Sequence, residues 1–292
     1  MKNIVILGCE NSHANTFLNF IRDKEESADV RVIGVYSDDK DASAYLAKTY
    51  GVPVLNTYDE AVGKVDGIIV TARHGDNHYK FAKPYIKTGV PMFIDKPITV
   101  SEADALEFMR ECKENGVRVT GGSTCIHAEW VQTLKKEREE EADGKTLGGF
   151  VRCPVWINSP FAGFFFYSQH LVEVVAHIFG RYPLSVKSYL NDKKLTVTFR
   201  YADYDVIGLF TDENYSCYYA MRVSENHVKG EEFPITSESP CFLIEFDEFY
   251  KLLCGEKQKI SYEDFIAPVY IMNAIKRSMD SGKEEKVLTY EV

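Results

Sequence analysis

Three consecutive side chains, Asp95, Lys96 and Pro97, have the types and the placement to do chemistry. They follow the apolar run Met92-Phe93-Ile94, which reads as a short buried strand. Proline fixes its own φ, removes a backbone donor and pushes the residue before it toward extended backbone. Lys96 is therefore expected at a strand end, where parallel α/β sheets open their binding crevice. In isolation the tripeptide reads better as a solvated charged pair, so its meaning rests on what surrounds it.

A second chemistry-bearing element lies at the start of the chain. Residues 3–8 (Asn-Ile-Val-Ile-Leu-Gly) read as a buried strand ending in glycine, followed by a helix through Phe17, Phe20 and Ile21. Strand, glycine and helix open a dinucleotide-binding unit, whose helix N-terminus receives the pyrophosphate. The glycine fingerprint is eroded. Gly8 holds the first position, Glu10 the second and His13 the third. Glu10 brings bulk and a like charge, whereas Asn11 and Ser12 are good N-caps and His13 can add a donor. On its own this motif fits a strand–turn–helix without a nucleotide better than a nucleotide site. At the end of the second strand Ser37 replaces the usual ribose-binding carboxylate, with Asp38 beside it. The acidic neighbour and the lack of a nearby Arg favour NAD over NADP.

The elements that must position these residues alternate regularly. Strands are expected at 31–36, 52–55, 67–71, 91–94 and 117–120, with helices through Ala42–Leu46, around Tyr58–Val62, at 78–88 and at 102–115. That alternation predicts a doubly wound parallel sheet over 1–120. After residue 120 the pattern changes. A helix at 128–141 carries the solvated charge run 135–141. Strand-like segments then follow near 149–157, 184–190, 194–200, 204–211 and 215–222, joined by turns such as Asp212-Glu213-Asn214. Helices near 168–179 and 262–281 complete an α/β domain with an open, mostly antiparallel sheet over 121–292.

Composition narrows the function classes. The 292 residues are 45% hydrophobic and 27% charged, ordinary for a globular protein of two domains. A net charge of -10 argues against nucleic-acid and anionic-membrane partners. Seven scattered cysteines without a C-x-x-C pair argue against a disulfide scaffold or zinc knuckle and fit a reducing cytoplasm. No apolar stretch has the length to span a bilayer, and the first residues run straight into a strand pattern, so no signal peptide is expected.

Ile69-Val70-Thr71-Ala72-Arg73-His74-Gly75-Asp76-Asn77-His78 resembles the T-P-x…H segment of the Gfo/Idh/MocA oxidoreductases. Gly89 with Asp95-Lys96-Pro97 resembles that family's G…[ED]-K-P element, and Asp264–Ser281 with Gly282 resembles its closing helix, whose Ala-Ile-x-x-Ser-x-x-x-Gly pattern falls at Ala274–Gly282. The resemblance spans nearly the whole chain. It implies an N-terminal Rossmann domain whose cofactor-binding residues are Gly8, Glu10, Asn11, Ser12, His13, Ser37, Asp38, Thr71, Ala72, Arg73, His78, Asp95 and Lys96.

The same resemblance implies hydride transfer between nicotinamide and a secondary hydroxyl or carbonyl of a sugar- or cyclitol-like molecule. Oxidation of an alcohol needs a base near neutral pKa at the hydroxyl. His170, with Gly180 ten residues later, is in register for that base; Lys96 would donate to the same oxygen. The aspartate expected four residues before the histidine is Phe166. Glu173 or Tyr167 would have to orient His170 instead. A rival register pairs Glu173 with His177. His170, Glu173 and His177 also share one helical face, but no fourth metal ligand is indicated and no metal is expected.

Ser123 and His127 fall where the family contacts cofactor or substrate, and Phe166 and Tyr167 end an aromatic run that reads as pocket wall or as core. Homodimers or homotetramers through the C-terminal sheet are implied. Two rival readings stay open: a catalytically degenerate binding or regulatory protein, and a cofactor-retaining non-redox enzyme such as an epimerase, lyase or glycosidase.

Overall fold

The computed structural model describes residues 1–23, 29–212, 218–236 and 239–292. The chain divides into two compact units, one of 1–122 with 242–265 and Val292, the other of 123–241 with 266–291.

In the first unit, strands β1 (Lys2–Leu7), β2 (Val30–Tyr36), β3 (Gly67–Val70), β4 (Met92–Asp95) and β5 (Val119–Gly122) form one parallel sheet in the order β2-β1-β3-β4-β5. Every residue of β3 and β4 and the last four of β1 are buried, as a sheet covered by helices requires. The helices are α1 (Ser12–Asp23), α2 (Lys40–Tyr50), α3 (Asp76–Ile86) and α4 (Glu102–Glu114). Asp39 caps α2 by accepting from the amides of Asp41 and Ala42, and Ser101 caps α4 through the Asp104 amide. The third strand expected at 52–55 is reduced to one parallel bridge, Val35 to Val54, outside β2. Counting that bridge, the strand order is that of a doubly wound dinucleotide-binding sheet. The helix expected around Tyr58–Val62 is replaced by consecutive turns. Isolated bonds run from the Glu60 amide to Thr57 O and from the Val62 amide to Asp59 O, and Gly63 ends the run at φ 74°.

The second unit contains α5 (Glu129–Glu140), β6 (Thr146–Val155), α6 (Phe165–Phe179), β7 (Ser185–Asn191), β8 (Lys194–Arg200), β9 (Asp205–Asp212), β10 (Tyr219–Ser224) and β11 (Val228–Glu232). With β12 (Glu284–Lys286) the strands form a seven-stranded sheet in the order β11-β10-β6-β9-β8-β7-β12. Every pairing is antiparallel except β6 with β9. Period-two alternation buries Leu195, Val197 and Phe199 of β8 and Val206 and Phe210 of β9. Two glycines let α6 approach the sheet. A Cβ on Gly149 would meet the Phe179 ring at 2.1 Å, and one on Gly208 would meet Leu171 at 2.8 Å. The indole N–H of Trp130 on α5 donates to Ala220 O at 2.9 Å. Residues 213 and 214 of the expected turn, and 215–217 of the strand expected at 215–222, lie outside the described residues.

The main departure from the sequence reading is α7 (Cys241–Leu253); α8 (Tyr262–Ser281) comes next in the chain, where a helix is expected. A contiguous division at 120 leaves α7 in the second domain, but it belongs to the first unit. The reason is apolar burial: Phe246 and Phe249 join Phe17, Phe93, Ile4 and Ile6 in one core cluster, with Tyr250 and Leu253 packed against it. Phe93 meets Phe249 edge-on at 6.4 Å and Phe17 at 5.0 Å. None of the helices among the described residues is long and apolar enough to cross a membrane.

Truncation of the fully buried Phe249 to Ala should cost about 3–5 kcal/mol of unfolding free energy, read by urea denaturation. An unchanged midpoint would show that α7 is not part of the first unit's core. Acid should also weaken the fold through two imidazoles. Burial lowers His78 below its ordinary 6.5 and takes His177, at the end of α6, down to about 3. Above pH 6.5 both are neutral folded and unfolded, so they contribute no pH dependence. As pH falls below 6.5 the unfolded chain takes up protons that the folded chain refuses, and stability drops. Melting temperatures between pH 7 and 4 should therefore decline less steeply in His177→Gln than in the parent chain.

Candidate active site

The dinucleotide-type site is built where β1, β2 and β3 end. Gly8 adopts φ 72°, and a Cβ there would lie 2.5 Å from Ala72 backbone, so the first glycine is required by close approach of the two loops. Thr71 Oγ1 donates to Gly8 O at 3.1 Å, and the Gly8 amide donates to Tyr36 O at 2.7 Å. His78 is fully buried with Nε2–H donated to Ala72 O at 2.8 Å, so it braces this loop from within the core. Its Nδ1 has no hydrogen-bond partner.

Glu10 is held by two donors. Its Oε2 accepts the Ser37 hydroxyl at 2.6 Å and its Oε1 accepts the Arg73 amide at 3.0 Å. The like charge expected at the pyrophosphate position is thus anchored to the loops after β2 and β3. Among the described residues, the amides of Glu10, Asn11 and Ser12 have no protein acceptor. They open the N-terminus of a twelve-residue helix, a ready anion site. Asp38 turns elsewhere, accepting from the Tyr36 hydroxyl at 2.7 Å, with Lys80 at 3.5 Å. Ser12 donates to Asn11 Oδ1 at 3.2 Å.

Asp95 joins this helix terminus to the lysine element. The carboxylate is completely buried and accepts Asn11 Nδ2 at 2.9 Å, lies 2.6 Å from His13 Nδ1, and accepts the Lys96 amide at 2.7 Å. Burial opposes its ionisation, yet His13, Lys96 and His78 together hold its carboxyl below the usual carboxylate range. His13 stacks on Phe17 and meets Phe242 edge-on. Lys96 is itself 5% exposed, and the Lys96–Pro97 bond is cis.

The predicted second-unit residues form another cluster. His170 lies on α6 with Nδ1 at 2.7 Å from Ser123 Oγ and 3.5 Å from Cys125 Sγ. The Ser123 amide donates to Glu173 Oε2 at 2.9 Å, while Gln169 donates to the other oxygen of Glu173. Glu173 therefore orients the serine that touches the histidine, and neither of its oxygens is given to His177, the partner in the rival register. His177 Nε2 instead takes Gln132 Nε2 at 3.0 Å. Tyr167 packs edge-on to His170 with centroids 4.6 Å apart. Phe166, a hydrocarbon ring, offers no acceptor to orient His170; it packs with Trp156, Phe161 and Tyr167 in a half-buried aromatic patch. His127 ends the short 3-10 turn Thr124–His127, where it acts electrostatically on His177.

The oxygen missing at position 166 is thus supplied by Ser123, a residue 47 positions from His170 in sequence. For His170 to take a proton at Nε2, Nδ1 must carry its hydrogen and donate it to Ser123 Oγ. The same oxygen accepts the Cys125 amide at 3.3 Å. Nitrogen-15 imidazole spectra should show the Nδ1–H form of His170 dominant in the parent chain. Ser123→Ala should shift the balance of tautomers; an unchanged spectrum would remove Ser123 from the orienting role.

Residues 2–123 match the model of an oxidoreductase family described as having the NAD-binding Rossmann fold, Gfo/Idh/MocA. A search of curated protein sequences finds no match. Among solved structures, the chain is similar to scyllo-inositol dehydrogenase from Lactobacillus casei with bound NAD(H) and scyllo-inositol (TM-score 0.84, 13% identity, covering 98% of this chain and 99% of that one). Myo-inositol 2-dehydrogenase from Lactobacillus plantarum gives the same values. The WlbA dehydrogenase from Chromobacterium violaceum, in complex with NADH and UDP-GlcNAcA, gives a TM-score of 0.81 at 15% identity, covering 100% and 97%. At such identities the likeness is one of fold. Residues 2–123 thus match the Gfo/Idh/MocA oxidoreductase model with its NAD-binding Rossmann fold, and the chain as a whole is similar in fold to solved inositol dehydrogenases.

Proposed function

We propose that this protein is an NAD-dependent oxidoreductase acting on a secondary hydroxyl or carbonyl of a sugar- or cyclitol-like small molecule. The observation that carries the reading is one hydrogen-bonded path within the first unit. It runs from the open N-terminus of α1, through Asn11 and His13, to Asp95 and the Lys96 amide. The acceptor-free amides of Glu10–Ser12 and the left-handed Gly8 fit a dinucleotide, which these residues would hold with Ser37, Thr71, Ala72 and Arg73. When bound, the nicotinamide supplies the hydride donor or acceptor.

The protein's own part is binding and proton management. Lys96 donates to the substrate oxygen and favours its alkoxide character. His170 exchanges the hydroxyl proton, its ring oriented by Ser123, and Ser123 in turn is held by Glu173. Asp95 keeps the lysine backbone and the helix terminus in register. The aromatic patch of Trp156, Phe161, Phe166 and Tyr167 suits a substrate with one less hydroxylated face than a free hexose. The substrate class follows the inositol and sugar-nucleotide dehydrogenases that share the fold. Half-buried Ile207, Leu209, Met221 and Val223 on one face of the second sheet support a homodimer or homotetramer formed there. A cytoplasmic location belongs to the same reading.

NAD at about a hundred times its dissociation constant should stabilise the fold by about 2.7 kcal/mol, seen as a rise in melting temperature. In a screen of inositols, polyols and keto-sugars, Lys96→Ala and His170→Ala should each lower kcat at least about a hundredfold. Dinucleotide binding without turnover of any polyol would favour the non-redox or regulatory alternatives, and activity surviving both changes would refute the roles assigned.

A further inference from the structure

We infer that Glu10 is the ribose-recognition carboxylate of this Rossmann domain, supplied by the loop between β1 and α1 instead of by the end of β2. In that position it selects a dinucleotide with a free 2′-hydroxyl over one carrying a 2′-phosphate. The inference rests on the reading of the first unit as a dinucleotide site. In such sheets an acidic residue at the end of β2 accepts from the ribose hydroxyls. Here β2 ends at Tyr36 and the next residue is Ser37, whose buried side chain has no charge to offer. Its hydroxyl donates instead to Glu10 Oε2 at 2.6 Å, which brings a carboxylate within one hydrogen bond of the strand tip.

The surroundings of Glu10 support this exchange of roles. The nearest alternative, Asp38, is occupied with the Tyr36 hydroxyl and Lys80. The Glu10 carboxylate is fixed from two sides, by Ser37 after β2 and by the Arg73 amide after β3, so little ordering remains to be done when a ligand arrives. A carboxylate accepts about four hydrogen bonds and this one uses two within the protein, leaving capacity for a vicinal diol. Glu10 is half-buried and not sealed in the core. A ribose 2′-phosphate would instead bring like charge against it. Lys40, whose ammonium donates to Ser37 O at 3.0 Å and lies over the Tyr36 ring, is the cation such a phosphate would meet once the carboxylate is neutralised. The acidic residue that spoils the glycine fingerprint thus replaces the one missing from β2.

The test is equilibrium binding of NAD and NADP to the full chain, measured by calorimetry for the parent, Glu10→Gln and Ser37→Ala, with melting curves recorded for each. The parent should prefer NAD. Glu10→Gln should weaken NAD by about ten- to a hundredfold, as expected for loss of charge-assisted hydrogen bonds, while NADP holds or tightens. Ser37→Ala keeps the carboxylate but frees one anchor, so the NAD-to-NADP preference should fall by a smaller factor in the same direction. A parent that prefers NADP, an unchanged preference in a folded Glu10→Gln, or equal weakening of both dinucleotides would overturn the inference. If Glu10→Gln does not fold, an unchanged preference in Ser37→Ala overturns it. A parent that binds neither dinucleotide would instead defeat the functional reading beneath it.

Discussion

The buried carboxylate of Asp95 is the constraint on which the first unit's site depends. A charge with no exposure is stable only if its neighbours replace the lost water, and the partners here are Asn11, His13 and the Lys96 amide. Those partners come from two separate segments of the chain. Satisfying one carboxylate therefore fixes both the N-terminus of α1 and the backbone at the lysine. It also explains a histidine where the fingerprint calls for a third glycine: His13 approaches β4 through a hydrogen bond and stacks on Phe17, giving up the close helix–strand contact that glycine would allow.

The second unit solves a similar positioning problem differently. His170 gains its orientation from a neutral hydroxyl, and the carboxylate of Glu173 acts one step removed, through the amide of that serine. A neutral acceptor stabilises an imidazolium less than an adjacent carboxylate would. The arrangement thus fixes the ring through a neutral oxygen, with the carboxylate held one residue away. Close packing makes the geometry reproducible, because Gly149 and Gly208 allow α6 to sit directly on the sheet.

Much of this was legible in the sequence. The alternation of apolar runs and helices specified the parallel sheet, because that signal is local, and Asp95-Lys96-Pro97 reads as the end of its β4 strand. The parts that escaped are tertiary. Nothing near His170 in sequence announces Ser123 as its partner, although Ser123 stood among the residues expected near the substrate. Glu10 counted as a defect because its two anchors lie 27 and 63 positions away. The helix Cys241–Leu253 did carry a readable signal, with Phe242, Phe246, Phe249 and Leu253 at helical spacing, yet no local pattern tells which sheet such a helix will cover.

That helix has a consequence for how the protein is made. The strands and helices through residue 122 leave the ribosome long before Phe246 and Phe249, which complete the hydrophobic cluster around Phe17 and Phe93. Until then the nascent sheet exposes an apolar flank, and covering it requires closing a loop that contains most of the second unit. The entropic cost of that closure grows only slowly with loop length. The second unit is likewise incomplete until residues 266–291 emerge, so a nascent chain stalled short of residue 246 would present two sticky half-built domains to the cell's chaperones.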